Sequence, residues 1–252
     1  MAAAPTGPDD GAAQLVDADL RGARFVRADL SGAVMRGVEL DGADLDAPWL
    51  LDGGSLLVNG VDVVPFVRAE LDRRFPGRSA RRADDPDGLR AAWAAVERTW
   101  EATLERVAAM PAGTVDVSVA GEWSFAETLR HLVMATDTWL RGAVLGVDQP
   151  YHPYGLPNAE YATDGYDASV FTTRAPTYAE VLEVRAGRVA MVRDLLADAT
   201  PELLAETRAN PWAPGQPETV LSCLHVVLEE EWEHHRYAVR DLDVIAGRPA
   251  AG

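Results

Sequence analysis

The sequence contains no lysine, so every basic side chain other than histidine is an arginine, 23 in all. Against 40 acidic side chains they leave a net charge of −17, which repels a nucleic-acid backbone unless a local basic patch overrides it. The arginines form only short clusters, and acidic residues follow them closely. We therefore expect no nucleic-acid partner. Abundant Ala, Arg, Asp, Val and Gly without lysine is typical of a high-GC bacterial genome.

Cysteine and long apolar runs are equally scarce. Cys223 is the one cysteine, which excludes an intramolecular disulfide and indicates a reducing compartment. No apolar stretch approaches the ~20 residues of a transmembrane helix. The first ten residues lack the basic start and apolar run of a signal peptide. These features predict a cytoplasmic protein with no membrane partner.

Residues 13–47 repeat every five positions, as seven pentads with a large apolar residue at each centre. The central residues are Leu15, Leu20, Phe25, Leu30, Met35, Leu40 and Leu45. A period of five fits neither helix nor strand, but it fits a square coil whose central side chains point inward. The segment resembles the pentapeptide-repeat family, a right-handed β-helix in which seven pentads make fewer than two coils. We interpret it as a scaffold or docking element that needs a cap.

The rest of the chain predicts a mainly α fold. Apolar side chains at 3- and 4-residue spacing indicate four helices, at about 87–110, 124–145, 178–198 and 217–245. Ser124 and Glu127 form a capping-box pattern at the start of the second helix. Arg185 and Gly187 interrupt the apolar stripe of the third. The segment 146–176, between the second and third helices, is long enough to be a crossover that spans a helix bundle.

A connector precedes these helices. Asn59-Gly60 predicts a turn, and Pro65 is a suitable first residue for a short helix. The connector is predicted to pack against the bundle because five of its residues are apolar enough to be buried: Val61, Val63, Val64, Phe66 and Leu71. We divide the chain into a disordered N-terminus at 1–12, the pentapeptide-repeat segment at 13–50, the connector (hairpin plus short helix) at 51–85 and a four-helix bundle at 86–252.

The string "EEEWEHHRYAVRDL" at 229–242 contains two overlapping Glu–His pairs, Glu230 with His234 and Glu231 with His235. Residues four apart share a helix face, and His131 on the second helix could complete a three-ligand metal site with an open position. Helical histidines are more often packed or exposed than metal-bound, so residue types alone leave a solvated acidic face as the alternative. The apolar stripe of the fourth helix centres nearer Glu231 and His235.

The string "WSFAETLRHL" at 123–132, followed about a hundred residues later by "EEEWEHHRYAVRDL", resembles the DinB/YfiT-like family, in the branch of mycothiol-dependent enzymes. The resemblance covers about residues 86–245. It implies a four-helix bundle with a long crossover between helices two and three, and one divalent metal on His131, Glu230 and His234. Zinc is the first choice of metal and nickel the second. We adopt the Glu230 and His234 register because a substrate-accessible site should lie at the flank of an apolar stripe.

The resemblance also implies an activity. A low-molecular-weight thiol, activated as a metal-bound thiolate, is transferred to a small electrophile or is used to isomerise a double bond. Mycothiol is the expected cosubstrate, given the high-GC composition. The alternatives are a metal-dependent hydrolase on the same ligands and a non-enzymatic binding or scaffold protein. The electrophile and the choice between monomer and homodimer stay open.

Several other residues are weighed and given no catalytic role. Cys223 lies near the apolar face of the fourth helix, so we interpret it as buried packing. Arg240 and Asp241 either support the metal ligands or pair at the surface. Four aromatic residues near loops either line a pocket or simply pack: Trp139, Tyr151, Tyr154 and Trp212.

Overall fold

The structure is a computed structural model that describes residues 14–213 and 215–247. The predicted disordered segment 1–12 lies outside the described residues. The chain divides into two compact units, the first ending at Asp46 and the second beginning at Ala47. Over the described part of the chain, no helix has both the length and the apolar character needed to cross a bilayer.

The first unit changes direction at every fifth residue. A backbone φ in the left-handed region recurs at Asp17, Gly22, Arg27, Gly32, Gly37 and Gly42. Around Gly22 a turn is closed by the Ala23 N–H, which donates to the Leu20 carbonyl at 2.9 Å. Glycine adopts such a φ without steric strain, so the repeat places it where the coil must turn. The seven central side chains are 48–61% exposed, because so short a stack of pentads covers little apolar surface.

The second unit opens with a small hairpin and a helix. Its elements are β1 (Leu57–Val58), β2 (Val61–Asp62) and α1 (Val64–Arg74). Asn59 and Gly60 both have positive φ and join the two strands in the predicted turn. Val64 is buried, but Val61 is 54% and Phe66 67% exposed. The predicted burial is therefore wrong for these two residues. Phe66 follows Val64 by two positions and so lies on the opposite side of α1.

Four long helices form the body of the second unit, and the prediction of a mainly α chain is confirmed. They are α2 (Pro86–Ala108), α3 (Phe125–Thr136), α4 (Tyr178–Ala197) and α6 (Val220–Ile245). The shorter elements between α4 and α6 are α5 (Pro201–Ala205), β3 (Thr207–Arg208) and β4 (Glu218–Thr219). α3 continues as a π-helix at Asp137–Val144, which is why its apolar pattern predicts one helix as far as residue 145.

Side-chain caps fix where α3 and α6 begin. The Ser124 hydroxyl accepts from the Glu127 N–H, and the Glu127 carboxylate accepts from the Ser124 N–H, which completes the predicted capping box. The Thr219 hydroxyl accepts from the Ser222 N–H at 3.0 Å at the start of α6. α6 packs against both α2 and α3, so side chains on its flank can meet those of α3.

A buried carboxylate ties the crossover segment to the helices. Asp137, which is fully buried, accepts two hydrogen bonds from the Arg188 guanidinium on α4 and one from the His152 N–H. These charge-assisted bonds hold the start of the crossover on α3 and α4. The crossover then runs back along α3, where the Leu156 N–H donates to the Arg130 carbonyl at 3.1 Å.

Candidate functional site

Helices α3 and α6 bring His131, Glu230 and His234 together. The Nε2 atoms of His131 and His234 lie 3.5 and 3.1 Å from Oε2 of Glu230. One ligand atom from each of the three residues lies within 4.8 Å of the other two. Tetrahedral zinc with bonds of about 2.0–2.1 Å separates its ligand atoms by roughly 3.3 Å. The donor set therefore has the residue types and the spacing that one divalent metal requires.

The hydrogen bonding of His131 fixes which ring nitrogen carries a proton. Its Nδ1 lies 2.9 Å from the Leu156 carbonyl oxygen, which can only accept, so Nδ1 must donate. In the neutral ring Nε2 then carries a lone pair and no proton. This lone pair faces the Glu230 carboxylate, which is also an acceptor. Either a second proton or a cation must lie between these two acceptors. A metal ligand whose other nitrogen donates to a backbone carbonyl is the usual arrangement at histidine metal sites.

Burial and neighbouring charges favour the ligand forms of the α6 pair. Burial alone would raise the pKa of the Glu230 carboxyl, but the adjacent His131 and His234 side chains outweigh it and hold that pKa below its usual range. Burial lowers the pKa of His234, which favours the neutral imidazole. Carboxylate and neutral imidazole are the forms that bind divalent metals.

Two aromatic rings border the ligands, and the sequence patterns above do not single out either. Trp123, the residue before the α3 cap, lies with its ring centroid 4.6 Å from that of His131 and 5.9 Å from that of His234. Tyr237 meets the His234 ring edge-on at 5.7 Å. Tyr237 is one turn beyond His234 on α6, so helical spacing is the signal that identifies it.

The neighbouring pair, Glu231 and His235, lies in the core instead. The Arg185 guanidinium on α4 contacts both carboxylate oxygens of Glu231, and both residues are at most 5% exposed. Burial raises the pKa of the Glu231 carboxyl although Arg185 opposes the shift. His235 Nε2 lies 2.8 Å from the Thr103 hydroxyl, and burial lowers the pKa of His235 to about 4. Arg185 interrupts the apolar stripe of α4 because it is the buried ion-pair partner of Glu231, which interrupts the stripe of α6.

The other two glutamates of the string at 229–242, Glu229 and Glu233, also form ion pairs with arginines. Glu229 accepts from Arg81 at 2.8 Å, and Glu233 accepts from Arg78 at 3.3 Å. Both arginines come from the segment between α1 and α2 and are buried. Among the described residues, Glu230 is therefore the only carboxylate that belongs to the three-ligand group.

His152, His225 and Cys223 do not belong to the three-ligand group. His152 Nδ1 accepts from the Tyr154 N–H at 3.1 Å, and His225 Nε2 lies 2.8 Å from the Ala83 carbonyl. Cys223 is fully buried, and burial raises the pKa of its thiol to about 11. A thiol held protonated in the core supports the packing interpretation.

Arg240, Asp241 and the four aromatic residues near loops also have contacts within the protein. Arg240 and Asp241 form an ion pair at 2.7 Å. Tyr154 donates its hydroxyl to Glu180 on α4, and Trp139 is a core residue. Tyr151 and Trp212 both contact Tyr161, in an aromatic cluster formed by the crossover and the segment before α6. These contacts put all four aromatic residues in packing positions.

The second unit is therefore a helical domain with a candidate His–Glu–His metal centre between two of its helices. The family model of the DinB superfamily matches residues 95–238, more than half of the chain, and the protein belongs to that superfamily. Metal binding is a general property of this family. Pentapeptide repeats match residues 13–47 in eight copies. No curated protein and no solved structure matches the chain.

Proposed function

We propose that His131, Glu230 and His234 hold one divalent metal, zinc in preference to nickel. The observation that carries the proposal is the pair of facing acceptors, His131 Nε2 and Glu230 Oε2, 3.5 Å apart. The Leu156 carbonyl takes the one proton of the neutral ring, so a cation between the two acceptors relieves their repulsion. His234 Nε2, 3.1 Å from the same oxygen, supplies the third ligand atom.

We propose further that the site activates a low-molecular-weight thiol, with mycothiol as the first choice, and transfers it to a small electrophile. Three protein ligands leave an open position, and a divalent cation there lowers the pKa of a thiol enough to give thiolate near neutral pH. The thiol proton would leave to solvent, and the sulfur would form a bond to the electrophilic carbon as the bond from that carbon to its leaving group breaks. The leaving group would depart with the electron pair of that bond and take up a proton from solvent. Such thiols are abundant in the reducing cytoplasm, the compartment that the single cysteine supports.

The surrounding carboxylates favour this activity over hydrolysis of a substrate by water. A metal-dependent hydrolase commonly uses a carboxylate that is not a ligand as its general base. Glu229, Glu231 and Glu233 are ion-paired to arginines, and Glu230 is itself a proposed ligand. A thiol needs no such base once its pKa is lowered. Glu230 instead contributes a negative charge that raises the affinity of the site for a cation.

Cobalt substitution tests whether the site binds a thiol as thiolate, the first step of the proposed activity. Untagged protein is stripped with a chelator and loaded with one equivalent of Co²⁺, and mycothiol or cysteine is then added. We expect a sulfur-to-cobalt charge-transfer band that grows as pH rises toward neutrality, because the coordinating form is the thiolate. An occupied cobalt site whose spectrum ignores both thiols, in a protein that hydrolyses esters or amides without added thiol, would establish the hydrolase instead.

A further inference from the structure

The two proposed histidine ligands are held in different ways. His131 donates from Nδ1 to the Leu156 carbonyl, which fixes both its tautomer and its ring orientation. Among the described residues, Nδ1 of His234 has no hydrogen-bond acceptor. Its Nε2 faces Glu230, so the only polar contact of this ring is on the ligand side. A histidine ring that no other protein group holds by its second nitrogen can instead be oriented by rings packed against it.

The Trp123 indole lies alongside the His234 ring. Its plane is 25° from that of His234, with the ring centroids 5.9 Å apart, a stacked arrangement. Tyr237 meets the same imidazole at 72°, edge-on. Contact with two rings in two different planes restricts rotation of His234 about its side-chain bonds.

The backbone that carries Trp123 is itself well fixed. The Glu122 N–H donates to the Val119 carbonyl at 2.9 Å, and the Ser118 hydroxyl donates to the Glu122 carbonyl at 2.6 Å. Ser124, immediately after Trp123, is the N-cap of α3. A tight turn on one side and a capping box on the other leave the tryptophan little freedom to move away from the ligands.

We infer that Trp123 is a positioning residue of the metal centre, which orients His234 by packing against its ring. The inference rests on the proposed three-ligand site. Trp123 also touches His131, but the Leu156 carbonyl already orients that ring. Loss of the indole therefore acts mainly through His234.

Zinc affinity of the full-length protein, measured by competition with a chromophoric chelator, tests the inference. We expect Trp123→Ala to weaken binding about 10- to 100-fold, the effect typical of removing the group that orients a histidine ligand. Trp123→Phe keeps an aromatic face and should recover most of the affinity. Trp212→Phe, a partly exposed tryptophan in the separate aromatic cluster, is the matched control and should bind zinc as the wild type does.

Imidazole NMR of the metal-free proteins separates positioning from general destabilisation. In Trp123→Ala the ring signals of His234 should broaden while those of His131 keep their wild-type line width, although loss of the indole shifts the signals of both rings. If that variant is unfolded by circular dichroism, Trp123→Leu takes its place. Wild-type affinity in a folded Trp123→Ala or Trp123→Leu protein, or equal broadening of both histidines, overturns the inference. A wild-type protein that binds no zinc refutes the proposed metal site itself, which is a distinguishable outcome.

Discussion

Glu230 with His234 and Glu231 with His235 are the same two residue types at the same spacing, one position apart on α6. One position is about 100° of rotation around a helix axis. That rotation aims the first pair at His131 on α3 and the second pair at Arg185 on α4 and Thr103 on α2. What a Glu–His pair does is therefore decided by what faces it.

The two pairs also differ in how the negative charge of the glutamate is neutralised. The Glu231 carboxylate has a guanidinium against both oxygens. Glu230 has only two histidine nitrogens, of which His131 Nε2 is a lone pair in the neutral ring. The core pair, Glu231 with His235, is complete without a ligand, whereas the flank pair, Glu230 with His234, needs a cation. This difference is what the following changes should expose.

The largest expected effect is loss of metal from the flank pair. His234→Ala removes a ligand and should weaken zinc binding by more than the roughly 10- to 100-fold typical of losing only a ligand's hydrogen-bond partner. His235→Ala is the matched control, one residue away, and should keep wild-type affinity. Isothermal titration with zinc compares the two variants. The reverse pattern would assign the metal to the core pair.

The next effect is on stability and belongs to the core pair. Glu231→Leu leaves the Arg185 charge buried without a partner and should lower the free energy of unfolding by about 3–5 kcal/mol. Adding Arg185→Met should recover most of that loss, because both buried charges are then gone. Denaturant unfolding of the metal-free proteins measures both values. A Glu231→Leu protein as stable as the wild type would show that the ion pair does not hold α4 and α6 together.

A somewhat smaller effect is expected from acid. The folded pKa of His235 is about 4, below the ~6.5 of an unfolded histidine, so the unfolded chain binds the extra proton first. The contribution of neutral His235 to the free energy of unfolding is therefore complete above pH 6.5. About 3 kcal/mol of it is lost as the pH drops from 6.5 to 4. Metal-free His235→Gln should lose less over that window than the wild type. Parallel curves for the two proteins would contradict the assignment of this loss to His235.

The smallest effect should follow removal of the coil. Both pairs lie on α6 within the second unit, which begins at Ala47. We predict that a chain starting at Ala47 remains helical and binds zinc with wild-type affinity. Circular dichroism and the same zinc titration measure this. A folded truncation that has lost metal binding would make the coil part of the site.

Helix spacing was sufficient to predict His131 and the two candidate pairs, and the capping pattern placed the start of α3. Helix spacing alone does not distinguish the metal-binding pair from the core pair. The centre of an apolar stripe indicates which residues are buried, but it does not indicate which side chain a buried polar residue contacts. The partner of Glu231 is Arg185, 46 residues away in sequence on another helix. The Leu156 group that orients His131 is a backbone carbonyl, which any residue would supply. Such contacts come from tertiary packing and leave no mark on local periodicity.

The most direct measurement of the central claim is an anomalous difference map at the zinc absorption edge, from crystals of untagged protein grown with zinc. We predict one strong peak per chain, at about 2.0–2.2 Å from Nε2 of His131, a carboxylate oxygen of Glu230 and Nε2 of His234. A peak bound by Glu231 and His235, or no peak at either pair in crystals soaked with excess zinc, would contradict it.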